Sequence, residues 1–358
     1  MAAEHDAINL SQGFPDFAVS QTLVELIHKY MLEGHNQYAP MPGVMALRKV
    51  IADVVHKTFA RKTDPETEVT ITSGATEALF ASIAALVNPG DEVILFDPSY
   101  DSYDPSIRLS GGIPVHINLK PPQFSIDWQE VRERITSRTR MIMVNTPHNP
   151  TGSVLHETDL KELEKLAIDY GLIVLSDEVY ERIVFDTAIH HSVLRYPALK
   201  AQSVAVFSFG KTFHATGWKV GYAVASEELT NEIRKAHQFI TFSVNTPVQL
   251  ALAEYMTNSD HYQELGKFYK QKRDFFLDQL KGSSFQPLPC LGSYFQLFTY
   301  QSTKSDVEMA EWMTKVHKVA PIPVSAFYKD KTDNHLLRFC FAKGEETLRK
   351  AGEILKRL

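Results

Sequence analysis

A mostly parallel β-sheet flanked by helices, followed by a smaller α+β unit, is the fold class this sequence predicts. Three observations lead there. Short apolar runs alternate with amphipathic stretches through the middle of the chain. Most of those runs are β-branched and apolar at successive positions, as strands covered on both faces of a parallel sheet must be. After about residue 245 the runs stop, and a long helical stretch leads into a shorter second set of elements.

The elements follow in order. Residues 1–35 show no strong period and are assigned as an N-terminal segment joining the small domain. Residues 36–281 are expected to form the large domain and 282–358 the small C-terminal one. Within the large domain the expected strands are Val69–Thr72, Val93–Phe96, Met141–Val144, Ile173–Leu175, Val204–Phe207 and Val220–Val224. Helices are expected over Glu77–Val87, Trp128–Ile135, Glu157–Tyr170 and Glu227–Phe239, an alternation that reads as βαβ units. A long helix over Tyr262–Leu280 ends at Gly282-Ser283-Ser284. Beyond it the expectation is strand Tyr294–Phe298, helix Val307–Val319, strand Leu336–Ala342 and helix Glu345–Leu358.

Composition excludes several classes of function. The 358 residues carry 37 Lys plus Arg against 43 Asp plus Glu, a formal charge of −6, which argues against a nucleic-acid footprint. No apolar run approaches the ~18 residues of a membrane helix, so no membrane partner is expected. The two cysteines, Cys290 and Cys340, are too far apart for a CxxC site. The opening Met1-Ala2-Ala3-Glu4-His5 has no basic-then-apolar leader pattern, and a cytoplasmic location is expected. The 14 histidines show no HExxH or similar ligand spacing, so no metal is assigned. His148 and the pair His190-His191 read as loop or surface residues.

The chemistry gathers at strand ends. Thr72 is followed by Ser73-Gly74, Phe96 by Asp97-Pro98-Ser99-Tyr100, and Val144 by Asn145 with Asn149 four residues on. Leu175 is followed by Ser176-Asp177-Glu178, and Phe207 by Ser208 and then Gly210-Lys211. Open α/β sheets bind ligands at this carboxyl edge, so five such ends together describe a site. Ser73-Gly74-Ala75-Thr76-Glu77 opens a helix whose free N–H groups can hold a phosphate, though Ser73 or Thr76 as a plain N-cap reads equally simply. Neither G-x-G-x-x-G nor a Walker pattern is present; Ala205 stands where the latter needs glycine. Lys211, emerging from a buried strand into a pocket, can lose its proton and attack a carbonyl to form an imine. Lys219 can serve as a second cation; both lysines can equally be surface residues. Asp177 closes an apolar run, where a carboxylate needs a positive partner such as a protonated pyridine, or else caps the next turn. Arg338, inside Leu336-Leu337-Arg338-Phe339-Cys340-Phe341, suits a substrate carboxylate unless strict alternation turns it to solvent.

Four motifs stand in order: Asn145-Thr146-Pro147-His148-Asn149-Pro150-Thr151-Gly152, Ser176-Asp177-Glu178-Val179-Tyr180, Ser208-Phe209-Gly210-Lys211-Thr212-Phe213 and Thr216-Gly217-Trp218-Lys219-Val220-Gly221. The sequence resembles the class I/II aminotransferases of fold type I, which use pyridoxal 5′-phosphate, and the resemblance covers essentially the whole chain. Ile8–Phe17 and Tyr38–Gly43 are similar to the branch that contains methionine aminotransferases and kynurenine–oxoglutarate aminotransferases. The resemblance implies that Lys211 holds the cofactor as an imine and relays the substrate proton, and that Asp177 pairs with the ring nitrogen. It implies Tyr180 and Asn149 at the ring's phenolic oxygen and Tyr100 stacked on the ring. Phosphate would be held by the amides of Ala75 and Thr76, by Ser208 and Lys219, and by Tyr38 from a neighbouring subunit. Arg338 would take the α-carboxylate, helped by Asn149 and the Gly13 backbone.

The implied reaction is amino-group exchange between an L-amino acid and a 2-oxo acid, in a homodimer with shared active sites. The alternatives are a β-lyase acting on sulfur-containing amino acids with the same Lys211, and, more distantly, a cofactor-sensing regulator, which would need a basic helix-turn-helix domain. Relatives also carry an N-terminal arm ahead of the Ile8–Phe17 segment; here the chain opens almost at that segment. The loop Phe242-Ser243-Val244-Asn245-Thr246-Pro247 has no arginine for a side-chain carboxylate, so methionine and aromatic amino acids are expected to be better donors than aspartate.

Overall fold

The computed structural model describes residues 1–258 and 260–358. A seven-stranded sheet runs, from one edge, Val69–Thr72, Gly221–Ala225, Ser203–Ser208, Ile173–Asp177, Thr139–Asn145, Glu92–Asp97 and Ile113–Asn118. Gly221–Ala225 is antiparallel to both neighbours, and the remaining pairings are parallel. The period-2 pleat explains why these strands look apolar throughout. Val93, Leu95, Met141, Met143, Val204 and Val206 enter one core, with the helix Gly74–Leu86. Ile94, Phe96, Ile142, Val144, Ala205 and Phe207 enter another, with Leu160 and Leu163 of the helix Glu157–Tyr170.

One strand of this sheet escapes the sequence reading. Ile113–Asn118 contains Pro114, which argues against a central strand, but here it lies on the sheet edge, where a missing N–H costs no ladder bond. Helices Gln21–Leu32, Met45–Phe59, Tyr103–Leu109 and Thr246–Tyr255 are likewise additions. The long helix expected over Tyr262–Leu280 is instead two, Asp260–Gln263 and Leu265–Gln279. Just past the break Gly266 packs tightly: a Cβ there would come 2.8 Å from the Val184 carbonyl. The helix expected over Val307–Val319 is Asp306–Val316, and Val319–Ala320 becomes a short strand parallel to Ile8–Asn9. That pairing, with the Cys340 amide donating to the Leu10 carbonyl at 2.7 Å, lays the N-terminal segment across the C-terminal elements.

A second sheet holds Ile322–Pro323, Leu336–Cys340, Phe295–Thr299 and Gln286–Pro287, all antiparallel. A third core lies against it, built from Tyr269, Phe276, Phe298, Phe339 and their neighbours. The carboxyl ends of the large sheet and the strand carrying Arg338 face one cavity.

Candidate active site

The cavity has a volume of about 260 Å³ and is lined at its floor by the strand ends. Eleven of the expected residues line it: Gly13, Ala75, Thr76, Tyr100, Asn149, Asp177, Tyr180, Ser208, Lys211, Lys219 and Arg338. Tyr38 does not. It stands 83% exposed on a separate groove with Met31, Phe242 edge-on at 5.5 Å, and Val244.

Ser73 turns the chain from strand to helix, and Gly74, at φ +76°, occupies the left-handed region that glycine enters freely. The plain N-cap reading fails for Ser73, whose hydroxyl makes no cap; its N–H instead donates to Glu77 at 2.8 Å. The first-turn amides have no carbonyl partner inside the helix and open toward the cavity end where Lys219 stands. Lys219 Nζ would lie 3.3 Å from a Cβ on Gly74, so the side chain lies close along the turn. Gly221 lets the antiparallel strand pass behind: a Cβ there would come 2.7 Å from the Ala75 nitrogen. Amides, a hydroxyl at Ser208 and an ammonium thus converge on space for an anion.

At the other side lies Asp177, 5% exposed at the end of Ile173–Asp177. One carboxylate oxygen accepts from the Tyr103 hydroxyl at 2.6 Å, the other from the Val179 amide at 3.2 Å. Burial nevertheless pushes its pKa up to about 6, against the opposing pull of those bonds and of Lys211. Asp177 does meet the following turn, as the capping alternative has it, but it also lines the cavity.

Lys211 sits in the short helix Phe209–Thr212 directly after Ser203–Ser208. Burial lowers its pKa to about 8. Its Nζ donates to the Tyr294 hydroxyl at 2.7 Å and to the Gly13 carbonyl at 3.3 Å. Arg338 is buried, not solvent-facing, and burial lowers its pKa. Its Nη1 donates to Asn149 Oδ1 at 2.7 Å and its Nη2 to the Ser11 carbonyl at 2.8 Å, while Nε has no partner. The guanidinium lies over Phe295 at 3.9 Å and Phe327 at 4.8 Å. Asn145 links the two ends: Oδ1 accepts the Asn149 amide at 2.8 Å, and Nδ2 donates to the Asp177 carbonyl at 2.9 Å.

Tyr103, Tyr294, Phe295 and Asn145 are site residues beyond the expected set. Tyr103 had a signal, as the second tyrosine past the strand end at Asp97; Tyr294 reads only as a core aromatic, because its partner Lys211 is distant in sequence. His148 and His190 lie in loops but are buried, His148 against the Thr151 hydroxyl at 2.7 Å and His190 against Glu178 at 2.7 Å.

The cavity therefore pairs a deprotonatable lysine with a buried acid, an anion cradle and a guanidinium holding a free N–H. The family described as aminotransferase class I and II matches residues 5–355. A methionine aminotransferase of Escherichia coli (strain K12) is 50% identical over 361 residues, covering 100% of this chain and 94% of that protein. A kynurenine–oxoglutarate transaminase of Dictyostelium discoideum is 34% identical, covering 100% of this chain and 92% of its own. Among solved structures, an Escherichia coli protein identified as having a methionine aminotransferase function superposes with a TM-score of 0.98 at 50% identity, covering 100% of this chain and 95% of that one. With fold, family and whole-length likeness in agreement, this chain belongs to the class I and II aminotransferases, enzymes of fold type I that use pyridoxal 5′-phosphate.

Proposed function

We propose that this aminotransferase takes methionine and aromatic amino acids as preferred donors, and that the cavity residues divide the work as follows. The fit to pyridoxal 5′-phosphate rests on three features: the cradle that a Cβ at Gly74 or Gly221 would crowd, the buried acid opposite it, and the depressed lysine between. Ala75 and Thr76 amides, Ser208 and Lys219 would hold the phosphate. Asp177 would meet the ring nitrogen, Tyr180 and Asn149 the phenolic oxygen, and Tyr100 the ring face. When bound, the cofactor supplies an aldehyde that accepts the amino group and a cationic ring that withdraws electrons from Cα.

Everything else falls to the chain. Lys211, its pKa lowered to about 8 by burial, is the base that takes and returns the Cα proton. Tyr294 and the Gly13 carbonyl hold its Nζ on one side of the cavity, so the amine keeps a fixed position whenever it is free. Arg338 grips the α-carboxylate, and its aromatic neighbours keep the guanidinium plane from swinging. The division into 1–35, 36–281 and 282–358 goes with this reading. The cofactor's holders come from the middle part, Gly13 and Arg338 from the flanking ones.

A homodimer with shared active sites belongs to the proposal. Tyr38, Phe239 and Leu32 are 83%, 89% and 74% exposed, apolar side chains that a second copy would cover. Tyr38 would then reach the phosphate in the neighbouring copy. A cytoplasmic location completes the reading, supported by two buried, unpaired thiols at Cys290 and Cys340. No helix among the described residues is long and apolar enough to cross a membrane.

The observation that carries the donor preference is that Arg338 is the sole arginine lining the cavity among the described residues, and in this reading it is taken by the α-carboxylate. The test is kcat/KM over a donor panel with a fixed 2-oxo acid acceptor. Methionine and phenylalanine should exceed aspartate at least about tenfold, the penalty of an unpaired buried carboxylate. Aspartate in the lead would overturn the reading. Pyruvate released from cysteine conjugates without acceptor, faster than transamination, would move it to a β-lyase.

A further inference from the structure

Outside the cavity, a buried hydrogen-bonded pair joins the cradle helix to the segment that carries Tyr38. His237, fully buried in the last turn of the helix Glu227–Ile240, faces an oxygen with each ring nitrogen. Nδ1 lies 2.8 Å from Glu77 Oε1 and Nε2 lies 3.0 Å from the Met41 carbonyl. A carbonyl only accepts, so Nε2 carries a proton. Nδ1 and the carboxylate then share another proton between them. The second oxygen of Glu77 takes the Ser73 N–H that opens the cradle helix.

Met41 belongs to a strap, residues 37–43, anchored by its backbone. Alternate carbonyls at Gln37, Ala39 and Met41 accept from Thr246 at 2.6 Å, Ser243 at 3.0 Å and His237 at 3.0 Å. Tyr38 sits between two of these anchors. Of the three donors, His237 alone is fully buried and continues inward to the cradle. A bare carboxylate this close to an anion cradle would repel the phosphate, and a proton on its far oxygen removes most of that repulsion.

We propose that Glu77 and His237 are positioning residues: they brace the cradle of one copy, quench the charge beside it, and hold the strap that offers Tyr38 to the next copy. The inference rests on the reading of Ala75, Thr76, Ser208 and Lys219 as the phosphate site.

The test uses the full-length enzyme and three variants, Glu77→Gln, His237→Asn and the double substitution. Readouts are the Kd for pyridoxal 5′-phosphate, the Kd for inorganic phosphate on the cofactor-free protein, Tm, and amide exchange of the strap peptide. His237→Asn leaves the Glu77 carboxylate unquenched beside the cradle and should weaken both ligands about tenfold, the scale of one unscreened charge near the phosphate, and speed strap exchange. Glu77→Gln should stay within about threefold, since its carbonyl oxygen can still take the Ser73 N–H. The double variant should recover ligand binding, the charge being gone, while strap exchange stays fast. A fall in Tm with both Kd values unchanged, or a double variant no better than His237→Asn, would overturn the proposal. So would a strap that exchanges at the wild-type rate in His237→Asn. Lys219→Ala separates the two levels. If it leaves phosphate affinity intact, the cradle reading itself has failed and the inference goes with it. If it weakens phosphate while His237→Asn does not, the cradle stands and only the inference is lost.

Discussion

Replacing Arg338 by lysine keeps the charge and removes the geometry, which makes the outcome calculable. A guanidinium has five N–H groups. Two are spent inside the protein, on Asn149 Oδ1 and the Ser11 carbonyl, and the Nε group is buried without a partner. Three N–H groups are thus left for a carboxylate that needs two. Lysine has three donors in all, on a shorter stem that cannot stack flat between Phe295 and Phe327. If it satisfies Asn149 and Ser11 it has one left, so at least one charge-assisted hydrogen bond to substrate is lost. That bond is worth roughly 1.5–3 kcal/mol, or roughly tenfold to a hundredfold in kcat/KM for methionine. Cofactor affinity should be unchanged, because the lysine can still donate to Asn149 Oδ1 and hold that amide in place. The assay is steady-state kinetics beside a cofactor titration of the same preparation. A drop smaller than about threefold would refute the two-bond carboxylate grip. An equal loss of cofactor affinity would show that Arg338 supports the ring site instead.

Further outcomes are expected at three residues. Without cofactor, Asp177→Asn should stabilise the protein at pH 7: the folded pKa, about 6, lies above the ordinary 3.8, so the carboxyl favours folding only while protonated. That contribution is lost as pH rises from about 4 through 6, at most ~3 kcal/mol, and a wild-type Tm profile flat across that window would refute it. In the holoenzyme the same substitution should cost orders of magnitude in turnover. The Lys211 amine of cofactor-free protein should acylate with a midpoint near pH 8, and a midpoint at the usual lysine value near 10.5 would refute the desolvation argument; Lys211→Ala should abolish turnover yet leave the cofactor able to bind noncovalently. Tyr38→Phe should weaken cofactor retention without changing sedimentation as a dimer, and an active monomer at assay concentration would remove the shared-site proposal.

Strand ends were the most legible part of the sequence, for a physical reason. A polar residue closing an apolar run is conspicuous, and parallel strands all end on one side, so Asp177, Ser208, Asn149 and Tyr100 had to converge. Lys211 follows the same logic, one turn beyond Ser208. Gly13 and Tyr38 carry no such signal and came from family resemblance alone. Tyr294 and His237 stayed hidden because an aromatic in a strand and a histidine on a helix are ordinary core residues until their partners are known. Those partners lie 83 residues away for Tyr294 and 160 for His237. The edge strand Ile113–Asn118 was missed because a proline that rules out a central position is harmless at the rim.

Asp177 and its neighbour Glu178 show how one strand end separates structure from chemistry. Successive side chains point to opposite faces. Glu178 turns inward and is fully satisfied: Ser176 at 2.9 Å, His190 at 2.7 Å and the Val193 amide at 3.1 Å all donate to it or share a proton with it. Asp177 turns to the cavity with two donors, and its pKa still climbs to about 6. Lys211 and Arg338 share the condition, each pulled down chiefly by burial. A cavity that holds an acid and two bases, each uncomfortable in its charged form, is less stable than a sealed core would be. Its instability has a chemical shape, however. In the proposed reading a ring cation would pair with Asp177, a carbonyl would take the Lys211 amine in its neutral form, and a substrate carboxylate would pair with Arg338. On that reading the groups that weaken the cofactor-free fold are the ones that ligand binding would make comfortable, so affinity and catalysis would draw on the same buried charges. For that reason Asp177→Asn should stabilise the cofactor-free protein and disable the enzyme by a single substitution, whereas a residue serving only the fold would lose both together.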